Sequence, residues 1–345
     1  MRGESKTTYH PFRQPFPPDY LIKCGLFLQS CWKFFNRNHS KTCHLRPFLN
    51  SSSRRCLLLL LAITILLLVY GFPFWIPVRE EEDHWAHLVH RGFLQQLKNT
   101  HLFPPYPKGI PYNLSVTFKS YGEHDKFNRI VLGTIFKNQK RLQDKGFFVE
   151  AGALDGQYLS HTLELESKFG WKGLLIEASP SKVKELKSKK RKAWVADVCL
   201  TNETYTKAPF MTKKNQKKHY KRGNGKIALK HSFQKGENRS NYVVEEEVEC
   251  YHLFSLLKAI AMDNIGPKVV DLLVLDIEGG EYQILEGYPF HLLPIKVVAV
   301  EHWLTPEGPN KIIELMTRKG YVVEYQSVSD LVFILKSAKL DFEKH

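Results

Sequence analysis

Two groups of polar residues in this sequence have types and spacings that could support chemistry, and the first lies in residues 147–160, FFVEAGALDGQYLS. Glu150 follows a short apolar run, and the chain then passes through Gly152, Asp155 and Gly156. A strand, a glycine-rich turn and a helix let the backbone approach a nucleotide-like ligand, because glycine has no Cβ to block the approach or the required φ. An ordinary turn between a strand and a helix is the alternative, and the residues that follow favour ligand binding.

Acidic residues end the next two predicted strands. Glu177 lies in GLLIEASP, 21 residues after Gly156. Nucleotide-binding α/β folds place an acid there that accepts hydrogen bonds from both ribose hydroxyls. A carboxylate that caps the following helix is the alternative. Asp197 ends the third predicted strand, where an acid can reach an adenine amino group.

The second group of polar residues is acidic and lies at later strand ends. Asp276, Glu278 and Glu281 follow the apolar run LLVL, and ligands of open parallel sheets bind outside the carboxyl ends of the strands. Because burying such acids without partners is costly, they are predicted to hold an amine, a hydroxyl or a cation, or to form a structural network between loops. Glu301 and His302 end the next strand. His302, with an unperturbed pKa of about 6.5, could act as a general base or be structural.

Alternating strands and helices are predicted to position both groups. Strands are predicted within 147–149, 173–180, 193–200, 243–248, 296–303, 321–326 and 331–336, and helices within 160–169, 182–192, 253–262 and 307–319. Residues 271–287 are predicted to form a strand, an acidic turn and a helix. The last two strands form a hairpin. This order predicts a doubly wound α/β sheet with an antiparallel end. Residues 201–242 are basic and lack apolar periodicity, which predicts an exposed insertion.

The net charge of +15 is concentrated in two segments. Residues 1–55 hold ten Lys and Arg against two acids, and residues 207–235 hold ten Lys and Arg with no acid. The remainder is slightly acidic, so the main domain is not expected to bind nucleic acid. A basic tail beside a membrane explains the first segment better.

Residues 56–78 contain no charged side chain and are long enough to cross a bilayer as one helix. A cleaved signal peptide or a buried core helix would be the alternatives, but 55 residues precede the segment and it has no polar stripe. Basic residues precede it and acidic residues follow it. The positive-inside rule therefore predicts a single-pass type II protein with a cytosolic N-terminus.

This topology predicts four parts, which are a cytosolic basic tail at 1–55, a transmembrane helix at 56–78, a lumenal stem and linker at 79–119, and a globular domain at 120–345. Apolar residues at helical spacing within 84–103 predict a stem helix, and the proline-rich segment 104–113 predicts a linker. Glycosylation sequons at Asn113, Asn202 and Asn238 would face the lumen.

The cysteines favour a disulfide over a metal site. The chain has six cysteines and no CxxC spacing, so no zinc site and no other metal is expected. Cys199 and Cys250 end strands on either side of the insertion, and an oxidising lumen would permit a disulfide between them. Two buried thiols are the alternative.

Together these motifs resemble the FkbM family of S-adenosylmethionine-dependent methyltransferases. The resemblance lies in VEAGALDGQYL and LDIEGGEYQILEG. The segments FFVEAGALDGQYLSHTLELE, GWKGLLIEASP and VVAVEHW are similar to a membrane-anchored, Star-like animal branch of that family. The resemblance covers about residues 120–336 and departs at Leu154-Asp155, where many members have Asn.

The resemblance implies a Rossmann-like class I methyltransferase sheet with S-adenosylmethionine as cofactor. The implied cofactor residues are Glu150, Gly152, Asp155, Gly156 and Glu177. Asp276, Glu278 and Glu281 would then face the methyl acceptor.

Two functions are compatible with these features. One is a lumenal O-methyltransferase acting on a hydroxyl, for example of a glycan. The other, implied by the Star-like resemblance, is a pseudoenzyme that binds membrane-protein cargo. It would act in endoplasmic reticulum to Golgi trafficking of growth-factor precursors for EGF receptor signalling. Either would reside in the endoplasmic reticulum or Golgi membrane, with the endosome and plasma membrane as alternatives.

Overall fold

A computed structural model describes residues 85–115, 131, 146–214, 225–229, 232–262 and 266–338 of the chain. These residues all fall within one compact unit, Pro77–His345. The predicted tail at 1–55 and the predicted transmembrane helix at 56–78 lie outside the described residues. Within the described part, no helix has both the length and the apolar character needed to span a membrane.

The described residues form two sheets with helices between their strands. The strands are β1 Leu102–Phe103, β2 Phe147–Ala151, β3 Lys172–Ile176, β4 Trp194–Ala196, β5 Cys199–Thr201, β6 Tyr205–Lys213, β7 Gly225–Ile227, β8 Tyr242–His252, β9 Val270–Leu275, β10 Ile295–Glu301, β11 Tyr321–Gln326 and β12 Asp330–Leu335. The α-helices are α1 Arg91–His101, α2 Leu163–Phe169, α3 Pro180–Ser188, α4 Leu253–Ala261, α5 Glu281–Gly287 and α6 Gly308–Arg318.

The main sheet has the strand order β1-β4-β3-β2-β9-β10-β12-β11 among the described residues. Strands β4, β3, β2, β9 and β10 are parallel neighbours, whereas β12 pairs antiparallel with both β10 and β11. The predicted α/β sheet with an antiparallel end is therefore confirmed. From β2 the chain continues to β3 on one side of β2, whereas β9 pairs with the other side of β2. Open α/β sheets bind ligands at such a switch point in the strand order.

The main sheet is buried on both faces, which explains why its strands read as nearly continuous apolar runs. Side chains of β2 alternate between two core clusters, with Val149 in one and Phe148 in the other. Both are 0% exposed. The same alternation in β9 places Leu273 in the first cluster and Leu272 in the second.

The helix predicted for the stem belongs to the core of the globular unit. Leu88, Leu94 and Leu97 are buried in the first core cluster, and Ser255 on α4 donates a hydrogen bond from Oγ to Leu88 O at 2.9 Å. Strand β1, which directly follows α1, pairs antiparallel with β4. Helical apolar spacing is the same for a free stem and for a helix packed on a sheet, so sequence spacing alone did not separate the two.

The segment predicted to be an exposed insertion builds much of a second sheet, with the order β5-β8-β6-β7. Strand β6 pairs with β8 along its whole length, from Tyr205 to Lys213. Only some of its positions are buried, among them Ala208 and Phe210, while Lys207 and Lys213 are exposed. The short buried stretch among lysines explains why no apolar period was visible in the sequence.

A disulfide joins Cys199 and Cys250, as the sequence predicted. The two residues lie directly opposite each other in the parallel pair β5 and β8. Both are buried, with Cα atoms 4.3 Å apart. The bond therefore fixes the second sheet to the chain segment that leaves β4 of the main sheet.

Candidate functional site

A cavity of about 320 Å³ lies at the carboxyl ends of β2, β3, β9 and β10. Strands β6 and β7 of the second sheet contribute the facing wall. Because Ala151 and Leu275 are register partners, the turns that follow β2 and β9 begin side by side. The two groups of polar residues that the sequence singled out are therefore brought to one place.

The two glycines of the first turn have different roles. Gly152 lines the cavity with φ of 87°, and a Cβ there would lie 1.8 Å from the backbone oxygen of Asp276. Gly156 has φ of 75°, and its missing Cβ leaves room for Leu186 of α3, 2.3 Å from that position. Only the first glycine is part of the cavity wall, and the second lets the turn pack against α3.

Asp155 shapes the turn from outside the cavity wall. Its Oδ1 accepts hydrogen bonds from the backbone N–H groups of Gln157 at 2.9 Å and Tyr158 at 2.6 Å. Its Oδ2 lies 3.7 Å from Nζ of Lys189. These contacts give Asp155 a structural role, and its predicted role in cofactor binding stays a prediction.

Leu154 is a cavity residue that the sequence did not single out. Its φ is 51°, which is uncommon for a residue with a Cβ and is found at functional turns. Its N–H donates to Oε2 of Glu177 at 2.7 Å. The turn after β2 is thus tied to the end of β3.

Glu150 is buried in a network of hydrogen bonds at the base of the cavity. It accepts from Ser160 Oγ at 2.9 Å, Thr162 Oγ1 at 2.5 Å and the His161 N–H at 2.6 Å. Burial raises the pKa of its carboxyl group, and the nearby Arg191 opposes that shift. Because residues 160–162 bind this carboxylate, helix α2 begins at Leu163 and not at Ser160.

Glu177 makes the contact at the start of a helix that one interpretation predicted, and its role at a ribose stays a prediction. Oε1 accepts the Ser179 N–H at 2.8 Å at the start of α3, and Oε2 accepts the Leu154 N–H. The side chain nevertheless lines the cavity. Burial raises its pKa to about 7, against the backbone hydrogen bonds that favour the charged form. Each oxygen retains capacity to accept a further hydrogen bond from a ligand.

Three carboxyl groups crowd the opposite end of the cavity. Asp276, Glu278 and Glu301 each have an oxygen within 4.8 Å of the others. Burial and repulsion within the group raise the pKa of Glu278 to about 9 and that of Glu301 to about 7, and burial with Glu301 nearby raises the pKa of Asp276. We call these three residues the carboxyl cluster. Since adjacent carboxylates cannot all ionise without a partner, protons or a metal ion ligated by the three oxygens would relieve the repulsion.

Glu281 and His302 lie next to the carboxyl cluster in sequence but away from the cavity wall. Glu281 is 1% exposed and binds the Ile277 and Gly279 N–H groups and Thr305 Oγ1, at 3.0, 3.0 and 2.6 Å. This is the structural network between loops that the sequence offered as the alternative.

His302 is buried, and its Nε2 has no hydrogen-bond partner within the part of the chain that the structure describes. Glu301, which received no role from the sequence, is the residue of that strand end that lines the cavity. The catalytic role of His302 stays a prediction.

Asp197 contacts the first helix. Its Oδ1 lies 2.9 Å from His101 Nδ1, and its Oδ2 accepts from Lys187 Nζ at 3.1 Å. His101 Nε2 lies 3.0 Å from Glu249 Oε2, and the two acids raise the pKa of the imidazole. Asp197 therefore ties α1 to the sheet, and the structure does not bring it to the cavity wall.

An apolar wall closes the cavity beside Glu177. Phe210 on β6 and Ile227 on β7 are register partners, and they line the cavity with Leu229. The Phe210 ring packs on Gly225, where a Cβ would lie 2.0 Å from its Cζ. These residues were not predicted from the sequence, although Gly225, two positions before Ile227, was a signal of close packing.

The three predicted glycosylation sites are exposed. Asn113, Asn202 and Asn238 all have exposed side chains. Asn113 donates from Nδ2 to Ser188 O at 3.1 Å. Exposure is compatible with glycosylation, which stays a prediction.

Comparison with protein families identifies the domain that carries this cavity. Residues 150–323 match the model of the methyltransferase FkbM domain. The chain belongs to this family. The matched region begins at Glu150 and includes Glu177, the carboxyl cluster and the second sheet, so the whole cavity lies within the FkbM domain.

Individual proteins of known structure resemble the chain only at low sequence identity. No curated protein matches the chain. Among solved structures, the methyltransferase FkbM from Methylobacillus flagellatus is 14% identical with a TM-score of 0.32, and the match covers 55% of this chain and 44% of that one. The human methyltransferase 10 domain containing protein is 10% identical with a TM-score of 0.33, covering 71% and 94%. A methyltransferase from Pyrococcus furiosus is 12% identical with a TM-score of 0.27, covering 61% and 96%.

Proposed function

We propose that the FkbM domain binds S-adenosylmethionine and transfers its methyl group to a hydroxyl of an acceptor. The observation that carries this proposal is that one cavity joins Glu177 and the glycine turn at one end to the carboxyl cluster at the other. This arrangement supports the proposal, because Glu177 as the ribose-binding acid and the carboxyl cluster as the proton acceptor would share one cavity.

The chemistry of the cavity wall fits this cofactor. Six carboxyl groups line the cavity against one lysine, Lys182; they are Glu150, Glu177, Glu245, Asp276, Glu278 and Glu301. A cofactor with a positively charged sulfur and an ammonium group suits such a wall, because opposite charges attract strongly in a partly dry site. The same wall disfavours acceptors that carry phosphate or sulfate groups.

When bound, S-adenosylmethionine supplies a methyl group carried on a positively charged sulfur. A hydroxyl oxygen can attack the carbon of this methyl group. The protein holds the partners in line, which can supply much of the rate. Glu177 would hold the ribose hydroxyls. Glu301 or Asp276 in the carboxyl cluster would take the proton of the acceptor hydroxyl, and a pKa of about 7 for Glu301 suits a general base near neutral pH. The second sheet would exclude water from the reaction.

The setting that we propose is the lumen of the endoplasmic reticulum or Golgi, with the chain anchored by residues 56–78 as a single-pass type II protein. The buried disulfide and the exposed sequons support an oxidising compartment. A hydroxyl of a glycan or of a membrane protein would be the acceptor. Glycosidase treatment should increase the electrophoretic mobility of the protein from cells, and digestion of the FkbM domain by protease added to intact microsomes would contradict the orientation.

The decisive experiment is calorimetric titration of the full chain, purified in detergent micelles, with S-adenosylmethionine. We expect saturable binding, with Asp276→Asn lowering the affinity less than Glu177→Gln does, because the Asp276 carboxyl group lies at the acceptor end and does not hold the ribose. Absence of heat and of a thermal shift at millimolar cofactor would overturn the enzyme proposal. It would favour a pseudoenzyme that binds cargo in growth-factor trafficking.

A further inference from the structure

The cavity has two ends of opposite character. Beyond the turn at Gly152 lies the carboxyl cluster, whereas beyond Glu177 lies an apolar surface built around Ala178, Phe210 and Ile227. The proposed cofactor has the same asymmetry, with a charged amino-acid part and an aromatic base on either side of its ribose. If Glu177 holds the ribose, the aromatic base is best matched to the apolar end and the charged sulfur to the acidic end.

The apolar end belongs mainly to the second sheet. Cys199, Ala208, Phe210, Val248 and Cys250 form one buried cluster, on which Ala178, Ile227 and Leu229 pack. Ala178 directly follows Glu177 in the loop between β3 and α3, so the cluster begins where the ribose would lie. Phe210 is 6% exposed, and the tip of its ring lies against Gly225. Its ring is therefore a pre-positioned aromatic surface on the cavity wall.

The position of this apolar wall depends on a series of neighbouring strands. Cys199 lines the cavity and lies on β5, which follows β4 of the main sheet. The disulfide joins β5 to β8, and β8 pairs with β6, which carries Phe210. Three residues of β5 and β8 also pair, and Ala178 packs on the cluster that contains Phe210. The disulfide is the covalent link between β5 and β8.

We propose that the second sheet supplies the adenine-binding wall of the FkbM domain, with Phe210 as the contacting residue, and that the Cys199–Cys250 disulfide positions this wall. Cofactor binding then requires the oxidised chain, which would confine activity to oxidising compartments. The inference rests on the proposed function, since it concerns the same cofactor.

Titrations with S-adenosylmethionine and with adenosine test the wall directly. We expect Phe210→Ala to weaken both ligands by about tenfold or more, as the loss of one base–aromatic contact does. The double variant Cys199→Ala with Cys250→Ala should weaken both ligands as well, because the wall loses its anchor. Val244→Ala is the matched control, since Val244 lies on β8 and is 56% exposed. It should bind like the wild type.

Thermal unfolding of each variant shows whether it is folded at the titration temperature, and Ile227→Ala replaces Phe210→Ala if the latter does not fold. If the wild type binds and the Phe210→Ala variant, or the Ile227→Ala variant in its place, binds equally well, the adenine wall is overturned while the proposed function stands. If that wall variant loses affinity but the double cysteine variant keeps it, the positioning role of the disulfide is overturned. A wild type that binds neither ligand overturns the proposed function itself.

Discussion

The carboxyl groups at the two ends of the cavity were predicted from the same pattern, an acid at the end of a buried strand, yet the fold treats them in opposite ways. Glu150 and Glu177 accept hydrogen bonds from backbone N–H groups and hydroxyls. Asp276 and Glu301 instead lie beside other acids. The first pair is fixed by donors of the surrounding turns, whereas the second pair lies among groups that repel it when ionised. The supply of hydrogen-bond donors, more than the position at a strand end, therefore separates the two kinds of acid.

We expect the largest effect on stability where the hydrogen-bond network around Glu150 and the first turn is broken. Arg191 is buried and donates to Glu166 Oε2 at 2.9 Å, to Ser160 and Thr162 at 3.2 Å each, and to the Gly156 carbonyl oxygen. Arg191→Met would leave Glu166 buried without its charged partner, which should lower the free energy of unfolding by about 3–5 kcal/mol. Urea denaturation measures this change.

The exposed pair Arg318 and Glu314 provides the control for this variant. Arg318→Met should change the free energy of unfolding by less than about 1 kcal/mol, because exposed ion pairs contribute little. Equal losses in the two variants would show that the buried network does not hold the turn.

Glu177→Gln tests the acid that serves both scaffold and cavity. The amide keeps one acceptor oxygen but turns an N–H₂ group towards the N–H of Leu154 or Ser179, which should cost about 1–3 kcal/mol of stability. Affinity for S-adenosylmethionine should fall by about tenfold or more, since a charge-assisted hydrogen bond to the ribose is lost. Glu164→Gln on the exposed face of α2 is the control, since Glu164 pairs with Lys168 and neither lines the cavity. Unchanged affinity in Glu177→Gln would refute its role at the ribose.

The carboxyl cluster should make the protein less stable as pH rises. The pKa of Glu278 is about 9 in the fold, against an ordinary value of 4.5. Between these values the unfolded chain has released a proton that the folded chain still holds, so the free energy of unfolding falls as pH increases. Glu278→Gln should raise the Tm at pH 8 by a few degrees and change it little at pH 5.

Glu314→Gln serves as the control for this pH experiment, because Glu314 is exposed on α6. Its Tm should follow the wild type at both pH values. The gain in Tm of Glu278→Gln over the wild type should be larger at pH 8 than at pH 5. An equal gain at both pH values would show that a partner ionises Glu278 in the fold.

The smallest effect is expected at His101, whose pH response has the opposite sign. Asp197 and Glu249 raise its pKa above the ordinary 6.5. The stabilisation is therefore fully present below pH 6.5 and is lost as pH rises through the folded-state pKa. His101→Gln should cost up to about 1 kcal/mol at pH 6 and less at pH 9. Denaturation at both pH values measures it, with exposed His90→Gln as the control, and an equal cost at both would contradict the assignment.

Much of the fold was predictable because hydrophobic periodicity is local. The alternation of strands and helices in the main sheet, its antiparallel end and the partnership of Cys199 with Cys250 were confirmed. Strands β1, β6 and β7 were not predicted, and the strand predicted at 193–200 is divided into β4 and β5. The candidate site was predicted less completely. Gly152, Glu177, Asp276 and Glu278 do line one cavity, but Phe210 was missed because its strand is flanked by lysines.

The sequence alone was enough to predict most strands of the main sheet, the acids and glycines at their ends, and the resemblance of these motifs to an FkbM domain. Tertiary structure alone decided which of those acids have partners. Leu154 reaches Glu177 across 23 positions, and His101 reaches Asp197 across 96. It also decided that α1 packs in the core and that the basic segment forms a cavity wall. Such contacts join distant positions through backbone geometry, which no local pattern of residue types encodes.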